Sequence, residues 1–538
     1  VKAEYILPAL PLAAAAVGLL FLAAMGIRRL RWVALILYTL SIPTLAFLAY
    51  RFWDHHVGPE SFHFWQFTLT PGGISFLIPL AVVSPLLLWA VETRGPVGKR
   101  DNAASALACF GLAATLAAVI SQHLFLLAGM FALATWSMAG TAVLKGKKAA
   151  RLLPFLFPLG AADLCLALGL LLLYLSDPTR GLSFPAAPLR PTGMLAASCS
   201  LLLAAALLRL GCFPLHRWMS GMARGSRELG LLHILAVDLT LGTFLLFSVT
   251  RVFFTWDGFW VWICLGVAAA SLVELARELL HATGREEAWG LLCASTAAAI
   301  ALVAAPGGQT AAAASRLALW AGVPALALVA LGSEDALWVD WAGVVGSASL
   351  MGLPPLAGFV ALWMGFKTLA GEFAGGETVI FIAAIPLLFA GAVIAGSVSL
   401  LLPQRRKGEA PLRLAFPAGV LLAACCAAVG LYPGTLSDLL MREYGLSLDI
   451  PFPSWTTLGW AVLICAGLAL IVAVAWLRRR GEPHSGERIV GRSLPLLRAG
   501  RPFPLPLLEK SRFRAAVVSA EIVLYVAWIT VMVFLGVK

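Results

Sequence analysis

The sequence predicts an all-α polytopic membrane protein with about 16 transmembrane helices. Composition is the first observation behind that fold class. Of 538 residues, 61% are hydrophobic and 12% are charged, whereas a soluble domain carries roughly a quarter charged residues. Mean hydropathy is +0.91. The second observation is the regular recurrence of apolar runs near the 20 or so residues that a spanning helix needs. The third is the placement of basic residues in short clusters between those runs. A soluble enzyme, a disordered chain and a disulfide scaffold are excluded by this composition.

The elements follow in order. The first run, 5–27, lacks a basic leader segment and a clean small-residue cleavage site, so it reads as a true span. Arg28, Arg29 and Arg31 open span two, 30–51. Span three, 69–91, ends before Arg94, Lys99 and Arg100. Spans four, 103–121, and five, 123–144, form a hairpin with a very short turn, closed by Lys145, Lys147, Lys148 and Arg151. Span six covers 152–176, and span seven, 192–212, precedes Arg217, Arg224 and Arg227. Span eight is 228–250, and span nine, 256–280, runs into Arg277 and Arg285. Spans ten, 286–305, and eleven, 311–332, make a second hairpin with a tight turn near 307. Span twelve is 341–370; span thirteen, 377–402, meets Arg405, Arg406, Lys407 and Arg413; span fourteen is 414–434. The last two, 453–477 and 513–536, flank a basic, proline-rich linker over 478–512.

The odd-numbered loops hold most of the lysines and arginines, and only the loop at Glu334, Asp335 and Asp340 departs from the pattern. The positive-inside rule then places both termini outside, in a bacterial-type inner membrane. The net charge of +12 reflects these lipid-facing clusters and not nucleic-acid binding. Prolines 483, 495, 502, 504 and 506 prevent the linker from forming one helix. It reads as a basic loop on anionic lipid, or as a strap for a neighbouring subunit. The nine cysteines lie in apolar runs without CxxC or Cys/His spacing, so no metal site and no cofactor are expected. No GxSxG, HExxH or P-loop pattern appears, so no catalytic site is expected on this chain.

Two stretches interrupt their helices. LLRLGCFPLHRWMSGMARGSRELGLLH, 207–233, carries Arg209, Pro214, His216 and Trp218. MGLPPLAGFVALWMGFK, 351–367, carries Gly352, Pro354, Pro355 and Gly358. Proline breaks a helix, and a break within a membrane survives only where protein or water satisfies the freed backbone. Paired broken helices in two halves of a chain mark the site in transporter folds.

With PLHRW at 214–218, GLPPLAGF at 352–359, REEAWGLLCAST at 285–296 and LLH at 231–233, the chain resembles the antiporter-like membrane subunits. That family is shared by respiratory complex I, membrane-bound hydrogenases and Mrp-type cation/proton antiporters. The resemblance covers roughly residues 65–435. It implies a 14-helix core built on two inverted five-helix repeats, with helices seven and twelve broken. The domains expected are 1–100 (helices one to three), 101–250 (first repeat), 251–405 (second repeat) and 406–538 (helices fourteen to sixteen with the 478–512 linker).

The resemblance further implies a mid-membrane relay of titratable residues, and here the chain departs from it. The relay Glu of helix five falls at Ala132, the Lys of helix seven on Arg209, the Lys of helix eleven near Pro324 and the helix-twelve position on Leu362. Only Arg209 keeps a charge, and arginine does not release its proton under ordinary conditions. Other charged residues within spans are functional candidates by default. Arg209 with Asp238 reads as an ion-pathway pair or as a fixed ion bridge. Asp163 and Glu521, each alone in its motif, read as structural. Arg316 and Lys367 are further candidates. His233, at the entry of span eight, is the better relay histidine; His216 is expected to cap a helix end or meet headgroups. Glu274, Arg277 and Glu278 are expected to pair along one helix face.

Three functions are compatible with this reading. The first is an antiporter-like subunit of a larger proton- or sodium-translocating complex, its own relay degraded. Its expected partners are other integral membrane subunits, lipid, and peripheral redox or carbonic-anhydrase-like chains. The second is a non-conducting scaffold of the same fold, as in an inorganic-carbon uptake complex. The third is an unrelated secondary transporter.

Overall fold

The computed structural model describes residues 9–24, 27–40, 62–64, 67–69, 71–92, 99–121, 123–144, 149–178, 182–185, 188–223, 230, 232–253, 258–282, 285–331, 337–371, 378–401 and 415–431. The expected spans fifteen and sixteen, Glu521 and the 478–512 linker lie outside the described residues.

Among the described residues, fourteen helical segments follow one another, in the order the apolar runs predict. They are α1 (Ala9–Ala23), α2 (Arg28–Thr39), α3 (Pro71–Glu92), α4 (Lys99–Ile120), α5 (Leu124–Leu144) and α6 (Ala149–Ser176). Next come the broken α7, as α7a (Met194–Arg209) and α7b (Arg217–Ala223), then α8, whose first part is a π-helix (Leu232–Asp238) and whose second is an α-helix (Leu239–Phe253). The second half holds α9 (Gly258–His281), α10 (Arg285–Ala304), α11 (Gly308–Leu331), α12a (Leu337–Leu350), α12b (Ala357–Gly371), α13 (Thr378–Leu401) and α14 (Ala415–Leu431). A small antiparallel hairpin, β1 (Phe62–Phe64) with β2 (Phe67–Leu69), precedes α3. Among the described residues, α4, α5, α6, α8, α9, α10 and α11 are each long and apolar enough to cross a membrane. The chain is an integral membrane protein.

Both hairpin turns predicted from the sequence are present. Leu124 N donates to Leu182 O at 2.8 Å, and His123 bridges Ser183, which ties the α4–α5 turn to the segment before α7a. At the α10–α11 turn Gly307 adopts φ +74°, a conformation open to glycine at no steric cost.

Packing repeats between the halves. Within the first, α4 packs on α5, α5 on α6, α6 on α7a and α7a on α8. Within the second, α9 packs on α10, α10 on α11, α11 on α12a and α12a on α13. Helices α8 and α11 are the most enclosed, and they touch each other at the join. Small residues allow this: α4, α10 and α11 are alanine-rich, and close backbone approach drives helix association where lipid removes the hydrophobic term. On the outside, α6 presents Leu164, Leu168, Leu171 and Leu175, and α5 presents Trp136, 74% exposed. Such an apolar exterior suits lipid or another membrane helix.

Candidate functional site

The two breaks share one backbone design. In the first, Gly211 adopts φ +63°; in the second, Gly352 adopts φ +74°. Gly211 N donates to Leu208 O at 2.9 Å, and Cys212 N reaches back to Leu207 O at 2.9 Å. Correspondingly, Gly352 N donates to Ser349 O at 2.9 Å, and Leu353 N reaches Ala348 O at 3.0 Å. Each pattern is a helix end closed through a left-handed glycine. Pro214 follows three residues after the first glycine and Pro355 three residues after the second, both behind cis peptide bonds. The register therefore pairs Gly211 with Gly352, Pro214 with Pro355, and Arg209 with Leu350.

That last pairing separates the halves chemically. In the first half, Arg209 ends α7a and is 1% exposed. Its Nη1 donates to Asp163 Oδ1 of α6 at 2.7 Å and to Thr135 Oγ1 of α5 at 3.0 Å. Its Nε forms an ion pair with Asp238 Oδ1 of α8 at 3.1 Å. The guanidinium also lies 5.1 Å from the ring centre of Phe131 on α5, a cation–π distance. Four helices thus converge on one cation. Asp238 ends the π-helical part of α8, and His233 lies near its start. Such wide turns are frequent at functional positions. His233 is buried, with Nε2 3.4 Å from Thr141 Oγ1 of α5.

In the second half the equivalent region holds a cleft. Leu350 and Leu362 line it with Leu272, Leu388 and several alanines and glycines. Its polar lining among the described residues is Ser295, Thr296 and Ser349. The Thr296 hydroxyl already donates to Leu292 O at 3.0 Å, and Ser349 Oγ accepts from Gly358 N at 3.2 Å.

The sequence-predicted residues separate as follows. Arg209, Asp238 and Asp163 form one cluster; Asp163, which its motif alone marks as structural and solitary, is the shortest ionic partner of Arg209. Arg316 stands apart at the α8–α11 join. It is fully buried, donates from Nε to Ala312 O at 3.1 Å and from Nη1 to Ser75 Oγ of α3 at 3.2 Å, and stacks 4.9 Å from Phe247 of α8. Lys367 lies on α12b, 5.9 Å from the Trp363 ring. His216 is neither a headgroup contact nor a simple cap: it is buried and its Nε2 lies 2.9 Å from Glu278 Oε2. Arg217 donates to the other oxygen, Oε1, at 2.9 and 3.2 Å. Glu274 does pair with Arg277 along α9, but Glu278 turns to α7b. Trp218 Nε1 spans the break to Leu208 O at 3.2 Å. Phe213 N donates to Ser271 Oγ of α9 at 2.8 Å. The first broken helix is therefore anchored on α9.

Thr135, Phe131 and Thr141 carry no motif, and the sequence reading did not single them out. One signal pointed at Asp163: a buried arginine needs a counter-charge at its own depth. As an expected outcome, Glu278→Gln removes the negative charge shared by His216 and Arg217 and leaves one acceptor oxygen where there were two. About half of the Arg217 side chain is in solvent, so the loss is small, about 1 kcal/mol. A thermal melt of the purified protein reads it as a modest fall in midpoint.

No family model matches the chain, and no curated protein matches it. Solved structures do. A chain of the membrane-bound sulfane sulfur reductase (MBS), an archaeal respiratory membrane complex, superposes with TM-score 0.70 at 16% identity, covering 89% of this chain and 85% of that one. A chain of the Mrp complex from Dietzia sp. DQ12-45-1b gives TM-score 0.67 at 18% identity, over 97% and 62%. A chain of respiratory complex I from Thermus thermophilus with bound aureothin gives 0.59 at 19%, over 81% and 99%. This is the antiporter-like membrane-subunit fold. At such identities the likeness carries the fold alone.

Proposed function

We propose that the chain is an antiporter-like subunit of a multi-subunit complex that translocates protons or sodium, of the complex I or hydrogenase type. Its own relay is reduced to the first half. The chains it resembles belong to multi-subunit membrane complexes, which supports other integral membrane subunits as partners. The observation that carries the reading is the contrast between two breaks of one design. One ends on a cation with two carboxylates; the other ends on Leu350 beside an apolar cleft. A proton crossing hydrocarbon needs titratable groups at short intervals, and among the described residues such groups meet at the first break, whereas the second offers only the hydroxyls of Ser295, Thr296 and Ser349. In this reading residues 101–250 and 251–405 are the two repeats, and both termini lie outside the inner membrane.

The same contrast favours a second reading, a non-conducting scaffold of this fold, for example in an inorganic-carbon uptake complex. One experiment separates the two. The tagged chain is purified from its native membrane, and the recovered complex is reconstituted for proton and sodium flux. The first reading expects several co-purifying membrane chains, and a flux reduced at least tenfold by Asp163→Asn in an assembled complex. Unchanged flux in that assembled variant supports the scaffold. A monodisperse single chain that transports unaided overturns both.

A further inference from the structure

Charge counting at the Arg209 cluster leads one step further. Two carboxylates, Asp163 and Asp238, face one guanidinium in a site where Arg209 and Asp238 are each 1% exposed. With both aspartates ionised, the cluster holds one uncompensated negative charge among apolar helices. Isolated buried charge is far more costly than a buried neutral acid.

The two aspartates are held differently. Asp163 receives the short Nη1 contact at 2.7 Å, and its side chain retains 15% exposure. Asp238 meets only Nε, at 3.1 Å, and its Oδ2 is buried with no hydrogen-bond partner among the described residues. A buried carboxyl oxygen without a partner costs far more when the group is ionised than when it is neutral.

The other charged groups do not supply the balance. On α8 itself stands His233, fully buried, with Nδ1 unpartnered and Nε2 at 3.4 Å from a threonine hydroxyl. An imidazolium there leaves a charged donor unsatisfied. From α11 comes Arg316, committed to Ala312 O, Ser75 and the Phe247 face. The remaining charged side chains of α4, α8 and α10 lie in terminal turns: Asp101, Arg251, Glu286 and Glu287 among them.

We propose that Asp238 holds a proton on Oδ2, so that the cluster is a neutral, single-proton binding site in which Arg209 and Asp163 form the ion pair. Proton uptake is then a property of a carboxyl, and the arginine supplies only a fixed charge. Arg209 donates to one aspartate and attracts the second. This deepens the reading of the first half as the surviving ion-handling half and rests on it only for the use made of the proton.

The test is infrared spectroscopy of the purified protein, or of its complex if it purifies as one, in H2O and ²H2O near neutral pH. The expected result is a carbonyl stretch of a protonated carboxyl that shifts in ²H2O. It should persist in His233→Gln and vanish in Asp238→Asn; it should vanish in Asp163→Asn as well, because Asp238 then becomes the only counter-charge of Arg209 and ionises. Thermal melts give an independent readout: Asp238→Asn, a neutral isostere, should melt close to the parent, and Asp163→Asn well below it. No such band in the parent overturns the proposal, as does a band that survives in Asp238→Asn, or an Asp238→Asn variant that melts well below Asp163→Asn. If Asp163→Asn fails to fold, the parent and Asp238→Asn spectra still decide it. Flux plays no part, so failure here is distinct from failure of the functional reading.

Discussion

Arg209→Met is expected to cost about 3–5 kcal/mol, because it leaves Asp163 and Asp238 together in a buried site with no cation. The variant should accumulate poorly in the membrane and melt far below the parent in detergent. Most of the loss is a penalty on the Asp163 carboxylate stranded beside Asp238, so it should be recoverable. Arg209→Met combined with Asp163→Asn and Asp238→Asn removes every charge and should regain much of the stability, since well-packed neutral replacements of buried ion groups are often neutral. Arg209→Lys should fall between them: one ammonium cannot reproduce the planar fork that reaches α5, α6 and α8 at once. If Arg209→Met melts like the parent, the cluster is not the ionic centre of the first half.

Gly358→Ala is the second large effect. Gly358 lies in the first turn of α12b directly after the break, and a Cβ there would overlap the Ser349 carbonyl oxygen of α12a. The obstructing atom is backbone, so no rotamer change relieves it, and the two halves of α12 would have to separate. The close approach also carries the Gly358 N to Ser349 Oγ hydrogen bond. Overpacking of this kind costs about 3 kcal/mol or more. Expected readouts are a large fall in melting midpoint and loss of assembled complex, while Gly129→Ala, which meets nothing within 4 Å, stays near the parent. Equal behaviour of the two variants would show that the break does not depend on this contact.

Much of the fold was legible in the chain. Apolar runs gave the fourteen described spans, and glycine and proline marked both breaks: Gly211 with Pro214, and Gly352 with Pro355. These features are local, written in composition and in the conformational range of single residues. The site was legible only in part. Arg209 and Asp238 stand out as charges in apolar segments. Asp163 does too, yet nothing near it in sequence says that α6 carries it to within 2.7 Å of Arg209. Likewise His216 looks like a loop residue until α9 is seen to deliver Glu278 to it.

The sequence by itself determined that this protein lives in a membrane, where its helices begin and end, and that its two halves each contain a broken helix. Tertiary structure alone decided which charges share a site and that the two breaks, alike in backbone, differ in content. The physical reason is range. Helix formation in lipid is fixed by hydrophobicity and hydrogen bonding within about 20 consecutive residues. Pairing of buried charges is fixed by the depth and rotation at which separate helices pack, and no local stretch of chain encodes that. The 12% of charged residues named the environment; only the packing of α5, α6, α7a and α8 showed three of them to be one site.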